Sequence, residues 1–499
     1  MKHTGKENNR LYQRRNIFRL GGIFFLLAFF STCRIDDPVL NIPASAYPAT
    51  IGKIMLTRCA VSGCHNSQSK DAAAGLDLSS WSTMFAGNRN GNVVTIPFAH
   101  RFSTVFLFCN TYADLGVNTI KPTMPINGTP LTHTEMVILR NWIDQGAPDK
   151  NGFIMFSDNL DRKKFYVVNQ GCDVVTVFDT QSLLPMRFVS IGQGDTRDSP
   201  HMIKLSPDGM YWYVSFLNYP YLQRFRTADD QYAGQVYIGI DSYNTFTISN
   251  DSKTAYAVGF DKGMITRVNL SSMSLIDTIY SSVSSLHGSR LSPDNSALYV
   301  TPTYGNYLFR FNPADLTTFT RIPVDGSKVI IQASSLDPHD LLFSDDGKTY
   351  FVSCQTSNQV AVMNASNDSL LKLIPVGTKP QELSYSASHH TLFVSCMEDI
   401  SSFPGGFNRG SVYAIDMQTY AVTPINAGFQ PHGLVVDEAN SRVYVANRNA
   451  NPSGPAPHHT TDCGGRNGYL TVIDMNTLNL VPDKKIELAS DPYSVAIRP

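Results

Sequence analysis

One phrase recurs seven times between residues 164 and 448: KFYVVNQ, YWYVSFL, TAYAVGF, ALYVTPT, TYFVSCQ, TLFVSCM and RVYVANR. Its anchor aromatics, Tyr166, Tyr213, Tyr256, Tyr299, Phe351, Phe393 and Tyr444, follow one another at intervals of 42 to 52 residues. A unit of that length cannot bury its apolar face alone, and a repeat of about 40–50 residues built from short alternating strands is the period of a four-stranded propeller blade. Most copies are preceded by a turn such as LSPDGM, LSPDNS or FSDDGK, and most are followed by a second alternating run such as VVTVFDT, LFRFNPA or LTVIDMN. Seven copies predict seven blades over residues 164–499.

Strand order follows from the phrase. A run such as HMIKLS comes first and is expected innermost, the Tyr-Val run second, the VTVFD type third, and a run like MRFVSIG outermost. The first copy lacks an inner strand of its own. The chain ends on DPYSVAIRP, which has the pattern of that missing strand, so the C-terminus is expected to close the ring beside the first blade and remove its open edges.

The chain has 499 residues, more than one ordinary core accommodates, and the repeat leaves the first third unexplained. The expected fold class is therefore multidomain: a small all-α domain over residues 48–150, followed by the all-β seven-bladed propeller. A net charge of −1 gives no electrostatic case for nucleic acid as a partner.

Residues 1–33 obey different rules. Lys2, Lys6, Arg10, Arg14, Arg15 and Arg19 precede the apolar run LGGIFFLLAFF, which is too short to span a bilayer as a helix and has the length of a signal-peptide core. STCRIDD follows, with Cys33 directly after two small residues. This resembles a bacterial lipoprotein signal, which implies lipidation of Cys33 and a membrane anchor, although Phe30 stands where that family usually has Leu. Asp36 and Asp37 are similar to the surface-export signal of Bacteroidetes lipoproteins. The alternative is ordinary secretion with Cys33 unmodified. Either route leads to the cell envelope, the outer membrane or cell surface if lipidated, where disulfides and covalent haem attachment are chemically available. PVLNIPASAYP then makes residues 34–47 an extended linker.

The next stretch carries the chemistry. In IGKIMLTRCAVSGCH, Ile51, Ile54, Met55 and Arg58 stand at helical spacing, so Cys59 ends an amphipathic turn and begins C-x-x-x-x-C-H with Cys64 and His65. Two thiols followed by an imidazole are what covalent c-type haem attachment requires, though the usual spacing is C-x-x-C-H and two extra residues must loop outward. Downstream, KPTMPINGTPLTHTEMVILRNWIDQGAP holds a capping box at Thr132 and Glu135, an apolar stripe at Met136, Leu139 and Ile143, and a stop at Gly146 and Pro148. Residues 48–150 resemble small bacterial cytochrome c domains of the kind common in Planctomycetes and Bacteroidetes. In that family a Met-Pro loop supplies an axial ligand, which implies one covalent haem c with Cys59 and Cys64 as anchors, His65 as proximal ligand and Met124 as distal ligand. Other readings stay open: a Cys59–Cys64 disulfide, a zinc site that borrows Cys109, packing alone for Met124, or His100 or His133 as the distal ligand.

The propeller segment resembles the YVTN family of repeats. Its inner strands begin SPHMI, YNTFT, LHGSR, DPHDL, KPQEL, QPHGL and DPYSV, which sets His201, Asn244, His287, His339, Gln381, His432 and Tyr493 around one mouth of the central channel. Four imidazoles in a ring suit copper, iron or zinc, or proton exchange with a small substrate, whereas a recurrent Pro-His turn is the plainer reading. Related-looking propellers in denitrification and amine-oxidising enzymes hold redox centres or substrates near this mouth. Two long insertions, MEDISSFPGGFNRGS in blade six and NRNANPSGPAPHHTTDCGGRNG in blade seven, fall at the same end, and the second carries His458, His459 and Cys463. Cys172 occupies the matching connection of blade one, so a Cys172–Cys463 disulfide is an expectation, while Cys354 and Cys396 are expected as buried thiols.

The expected function is electron transfer through haem iron in an exported, lipid-anchored protein, with the propeller as docking platform for a redox partner protein or an extracellular ligand. A second expectation is an oxidoreductase whose channel-mouth histidines bind a metal or substrate. A third is an extracellular binding module in which haem is only structural.

Overall fold

The computed structural model describes residues 45–116, 121–193, 197–281, 283–400, 409–450, 454–455, 459–461 and 464–498. Cys33, His458 and Cys463 lie outside them, and so does the proposed signal segment. No helix among the described residues is long and apolar enough to cross a membrane.

The repeat folds as seven antiparallel four-stranded sheets. Blade two is representative, running Pro200–Leu205, Tyr211–Phe216, Tyr221–Arg226 and Tyr232–Tyr237 from inside to outside. The inner strands of successive blades pack side by side around a closed ring. Blade one takes its inner strand, Pro492–Ile497, from the C-terminus, where it pairs with Lys164–Asn169 through Phe165–Ile497, Tyr166–Ala496 and Val167–Val495. The expected closure is therefore present, and with it the seven-bladed propeller.

Burial explains why the second strand carries the recognisable phrase. Lys164–Asn169 is buried at every position, because neighbouring blades cover both faces of the sheet, and such strands read as continuous apolar runs. Phe165 stacks on Tyr444 of blade seven at 4.0 Å, and Tyr166 meets Trp212 of blade two at 5.6 Å. Outer strands such as Ser274–Tyr280 are largely exposed and carry less of the pattern. The turns repeat for a local reason: Ser206, Ser292 and Ser344 hydroxyls each donate to the aspartate two residues on, at 2.6, 2.6 and 2.7 Å, which closes the hairpin between inner and second strands. Near the axis the blades approach backbone to backbone. A Cβ on Gly288 or Gly433 would collide with the carbonyl oxygen of His339 or Tyr493 on the next blade.

One ion pair staples blade one to blade two. Lys164 Nζ donates to Asp230 Oδ2 at 2.8 Å and to the carbonyls of Thr227 and Ala228, and Trp212 Nε1 donates to Asp230 Oδ1. Both side chains are under 5% exposed. Removing one partner leaves the other charge buried, so Asp230→Ala is expected to cost about 3–5 kcal/mol in chemical denaturation, whereas Lys164→Met with Asp230→Leu should cost much less.

The preceding segment holds few helices among the described residues, α1 Ala49–Ile54, α2 Trp81–Phe85, α3 Thr104–Leu107 and α4 His133–Asp144, and is otherwise mostly turns and loops. α1 continues into a wider turn that ends at Cys59. Thr132 and Glu135 form the expected capping box on α4, which buries Met136, Leu139, Trp142 and Ile143. Tyr47, read in the sequence as the end of the tether, is instead part of this core, with its hydroxyl donating to the carbonyls of Leu78 and Ser80.

Residues 44–499 form one compact unit. Phe102 stacks on Phe188 of the outer strand of blade one at 4.9 Å. Arg466, 2% exposed, donates to the Phe102 carbonyl at 2.6 Å and covers the Phe188 ring. On the outer strand of blade seven, the Glu487 backbone donates to Asn92 Oδ1 at 2.6 Å. Val93, Ile96, Phe102, Cys172, Phe188 and Ala489 make a shared apolar cluster beneath these contacts.

Candidate functional site

Cys59, Cys64, His65 and Met124, with 65 positions between the first and the last, line a single cavity of about 660 Å³. The loop that carries the first three is locally closed. His65 N donates to the Cys59 carbonyl at 3.1 Å and Cys64 N to the Val61 carbonyl at 3.0 Å, so the two additional residues bulge without opening the turn. Gly63, at φ +81°, takes the left-handed conformation this bulge needs. Asn66 and Ser69 tie the loop down through Asn66 Nδ2 to the Val61 carbonyl and Gly63 N to Ser69 Oγ. On the other wall, Met124 N donates to the Phe108 carbonyl at 2.8 Å, which anchors the Met-Pro loop just past α3.

The walls between are largely apolar, with Leu76, Leu78, Val94, Val105 and Phe108 among them. Burial pushes the Cys59 thiol up to about 12, and the nearby Cys64 adds to the effect. His65 is shifted down by burial, which favours the neutral imidazole, and its Nδ1 is enclosed without a hydrogen-bond partner among the described residues. Polar groups reach the cavity at few points. Arg58 is one, held by a two-point contact with Glu135 at 3.2 and 3.3 Å, and Glu487 of blade seven is another. The donor set and the apolar enclosure fit a planar, iron-containing macrocycle attached through two thioethers.

The other candidates fall differently. His100 pairs with Asp144 at 2.7 Å and His133 with Asp114 at 2.8 Å, and neither lines the cavity. Cys109 is buried and also lines it, a third thiol near Cys59. Cys172 is buried in the cluster shared with the helical segment, while its expected partner Cys463 is outside the described residues. Cys354 and Cys396 are buried thiols, as expected.

At the channel mouth the four histidines do meet. Ring centroids lie 5.7 Å apart for His201–His287, 3.9 Å for His287–His339 and 5.8 Å for His339–His432, and Tyr493 completes the circle at 3.7 Å from His432 and 4.1 Å from His201. All four imidazoles are at most 5% exposed. Among the described residues no three metal-ligating groups stand together at coordination distances.

Sequence reasoning missed what lies next to this ring. Lys204, Arg290, Asp340 and Glu382 come from inner strands and interact across the bore, where burial and Asp340 push Glu382 up to about 8 and burial drives Lys204 well below the usual amine range. The signal was the acid that directly follows the mouth residue in DPHDL and KPQEL. Glu487 and Asn92 were missed as cavity residues because they lie nearly 400 positions apart and meet only through docking of the helical segment on blade seven.

The fold defines the chain as a seven-bladed propeller protein whose propeller is preceded by a cavity-bearing segment with a few short helices. No protein-family model matches it, and no curated protein matches it. Among solved structures it is similar to hydrazine synthase of Kuenenia stuttgartiensis, at 16% identity and a TM-score of 0.48 over 60% of this chain and 90% of that one. It is equally similar to a functionally unknown protein of Desulfotomaculum acetoxidans DSM 771, at 15% identity and a TM-score of 0.48 over 66% and 99% of the two chains. Likenesses of this strength say nothing about chemistry.

Proposed function

We propose that the protein is an exported electron-transfer protein that carries one covalent haem c in the cavity of its helical domain. The observation that carries this reading is the convergence of Cys59, Cys64, His65 and Met124 on one apolar cavity. Cys59 and Cys64 would anchor the group, His65 would donate an imidazole nitrogen to iron, and Met124 its thioether sulfur. Bound there, the haem would supply reversible one-electron exchange, and an iron held by both His65 and Met124 would suit relay better than substrate binding.

The protein's own residues set the conditions for that exchange. Low burial-shifted basicity keeps His65 an available lone pair, the Phe108 carbonyl holds the Met124 loop, and the aliphatic walls exclude water. Arg58, neutralised in part by Glu135, and Glu487 are the acidic and basic side chains among the described lining residues that would bias the potential. Lipidation at Cys33 would tether the molecule to the envelope membrane, and the propeller would serve as the platform for a redox partner protein or extracellular ligand.

The test is the visible spectrum of protein made in a haem-ligating host, with a pyridine haemochrome assay and a redox titration. Met124→Ala is expected to retain covalent haem, lose the low-spin signature and gain affinity for cyanide or carbon monoxide. An unchanged spectrum would remove Met124 from the ligand set.

A further inference from the structure

The ring at the channel mouth has a property that packing alone does not require. Among the described residues, each of its four imidazoles keeps one buried nitrogen without a hydrogen-bond partner: His201 Nε2, His287 Nδ1, His339 Nδ1 and His432 Nε2. Leaving one such atom unpaired costs about 1–3 kcal/mol, and four in one place is not the outcome expected of a turn motif satisfied by its surroundings.

The tautomers of two rings are set by their other nitrogen. His432 Nδ1 lies 3.2 Å from the Tyr493 carbonyl, which only accepts, so Nδ1 carries the proton and Nε2 keeps its lone pair. His201 Nδ1 lies 3.1 Å from the Gln170 side-chain oxygen with the same consequence. A metal-binding histidine has this arrangement, with its second nitrogen donating to a carbonyl or carboxylate that fixes the ring. Arg448, over the Tyr493 ring, is paired with Asp491 at 2.6 and 2.9 Å.

From the four unpaired nitrogens and the preset tautomers, we propose that His201, His287, His339 and His432 form a binding site for a borderline first-row transition metal ion, copper(II) or zinc(II), at the mouth of the propeller channel. Imidazole sites favour these ions, with copper(II) the stronger by the usual order of affinities. Two imidazoles bound to one metal have ring centres about 5 Å apart. Centroid separations of 3.9 to 5.8 Å between neighbouring rings bracket that value, and the proposed site requires the rings to turn about their side-chain torsions to converge on the ion. The inner strands that carry them are held rigid by close backbone packing at Gly288 and Gly433. The site is independent of the haem reading and lies on the propeller alone.

The experiment uses the full chain, stripped with a chelator, incubated with excess copper(II) or zinc(II) and desalted before metal counting by plasma mass spectrometry. A single retained equivalent beyond any iron is expected, with nitrogen hyperfine structure in the copper(II) paramagnetic resonance spectrum. The double variant His201→Gln with His432→Gln should lose it, and Gln170→Leu, which touches no metal, should weaken it about 10–100-fold. The proposal is overturned if wild type retains neither metal, or if a double variant with an unchanged melting curve retains it equally. Should that variant melt early, an unaltered affinity in Gln170→Leu overturns it instead.

Discussion

Replacing both Cys59 and Cys64 with serine is expected to yield protein from which every trace of haem extracts into acidified acetone, under conditions where the wild-type pigment stays on the chain. The effect is all-or-none because the two thioethers are the only covalent attachment proposed, and both thiols lie in the wall of the same cavity. Each single variant should keep one bond and display the pyridine haemochrome of a mono-thioether group. The fold should tolerate the double change. Cys59 and Cys64 are only partly buried, and the loop is held by backbone bonds from His65 to Cys59 and from Cys64 to Val61 that serine leaves intact. A double variant that still holds haem through acid and solvent would overturn the anchoring roles. Retention of pigment in both proteins would redirect attention to Cys109, the third thiol on that wall.

Removal of residues 492–499 is expected to abolish cooperative folding, the largest stability effect available to a short deletion here. The inner strand of blade one pairs with Lys164–Asn169 and packs against the inner strands of blades two and seven, so its loss opens the ring at both sides. Val495, Ala496 and Ile497 leave apolar clusters that contain Phe165, Tyr166, Tyr444 and Trp212. Burying one such aliphatic side chain stabilises by about 1.5–3 kcal/mol, and total stabilities run to only about 5–15 kcal/mol. Strand 164–169 would also become an unprotected apolar edge, a template for aggregation. Soluble yield and thermal unfolding by circular dichroism would report the change. A truncated chain that melts sharply near the wild-type temperature would mean that the ring closes without its C-terminal strand. Deletion of the exposed outer strand Ser274–Tyr280 should do far less.

Much of the architecture was legible because the blade is a local code. The Tyr-Val phrase is readable at Tyr166 or Tyr444 because a strand buried on both faces admits only apolar and aromatic residues, and the Ser-x-Asp turn is readable at Ser206 because its hydrogen bond spans two residues. The C-x-x-x-x-C-H stretch and the α4 capping box were legible for the same reason. Choice among Met124, His100 and His133 was not, since all three have suitable chemistry. It took the pairing of His100 with Asp144 and His133 with Asp114 to set those two apart from the cavity that Met124 lines.

The amino-acid sequence alone determined the number of blades, the order of strands within them and the closing role of the last one, because each rests on periodicity and on pairing between neighbours in a repeat. Tertiary structure alone decided that Glu487 stands in the wall of the N-terminal cavity, that Arg466 caps Phe102 and Phe188, and that Lys204, Arg290, Asp340 and Glu382 share one bore. Those contacts join residues from distant blades and from two kinds of fold. Their partners are chosen by how whole surfaces dock and by the low dielectric they enclose, neither of which leaves a periodic mark on the chain.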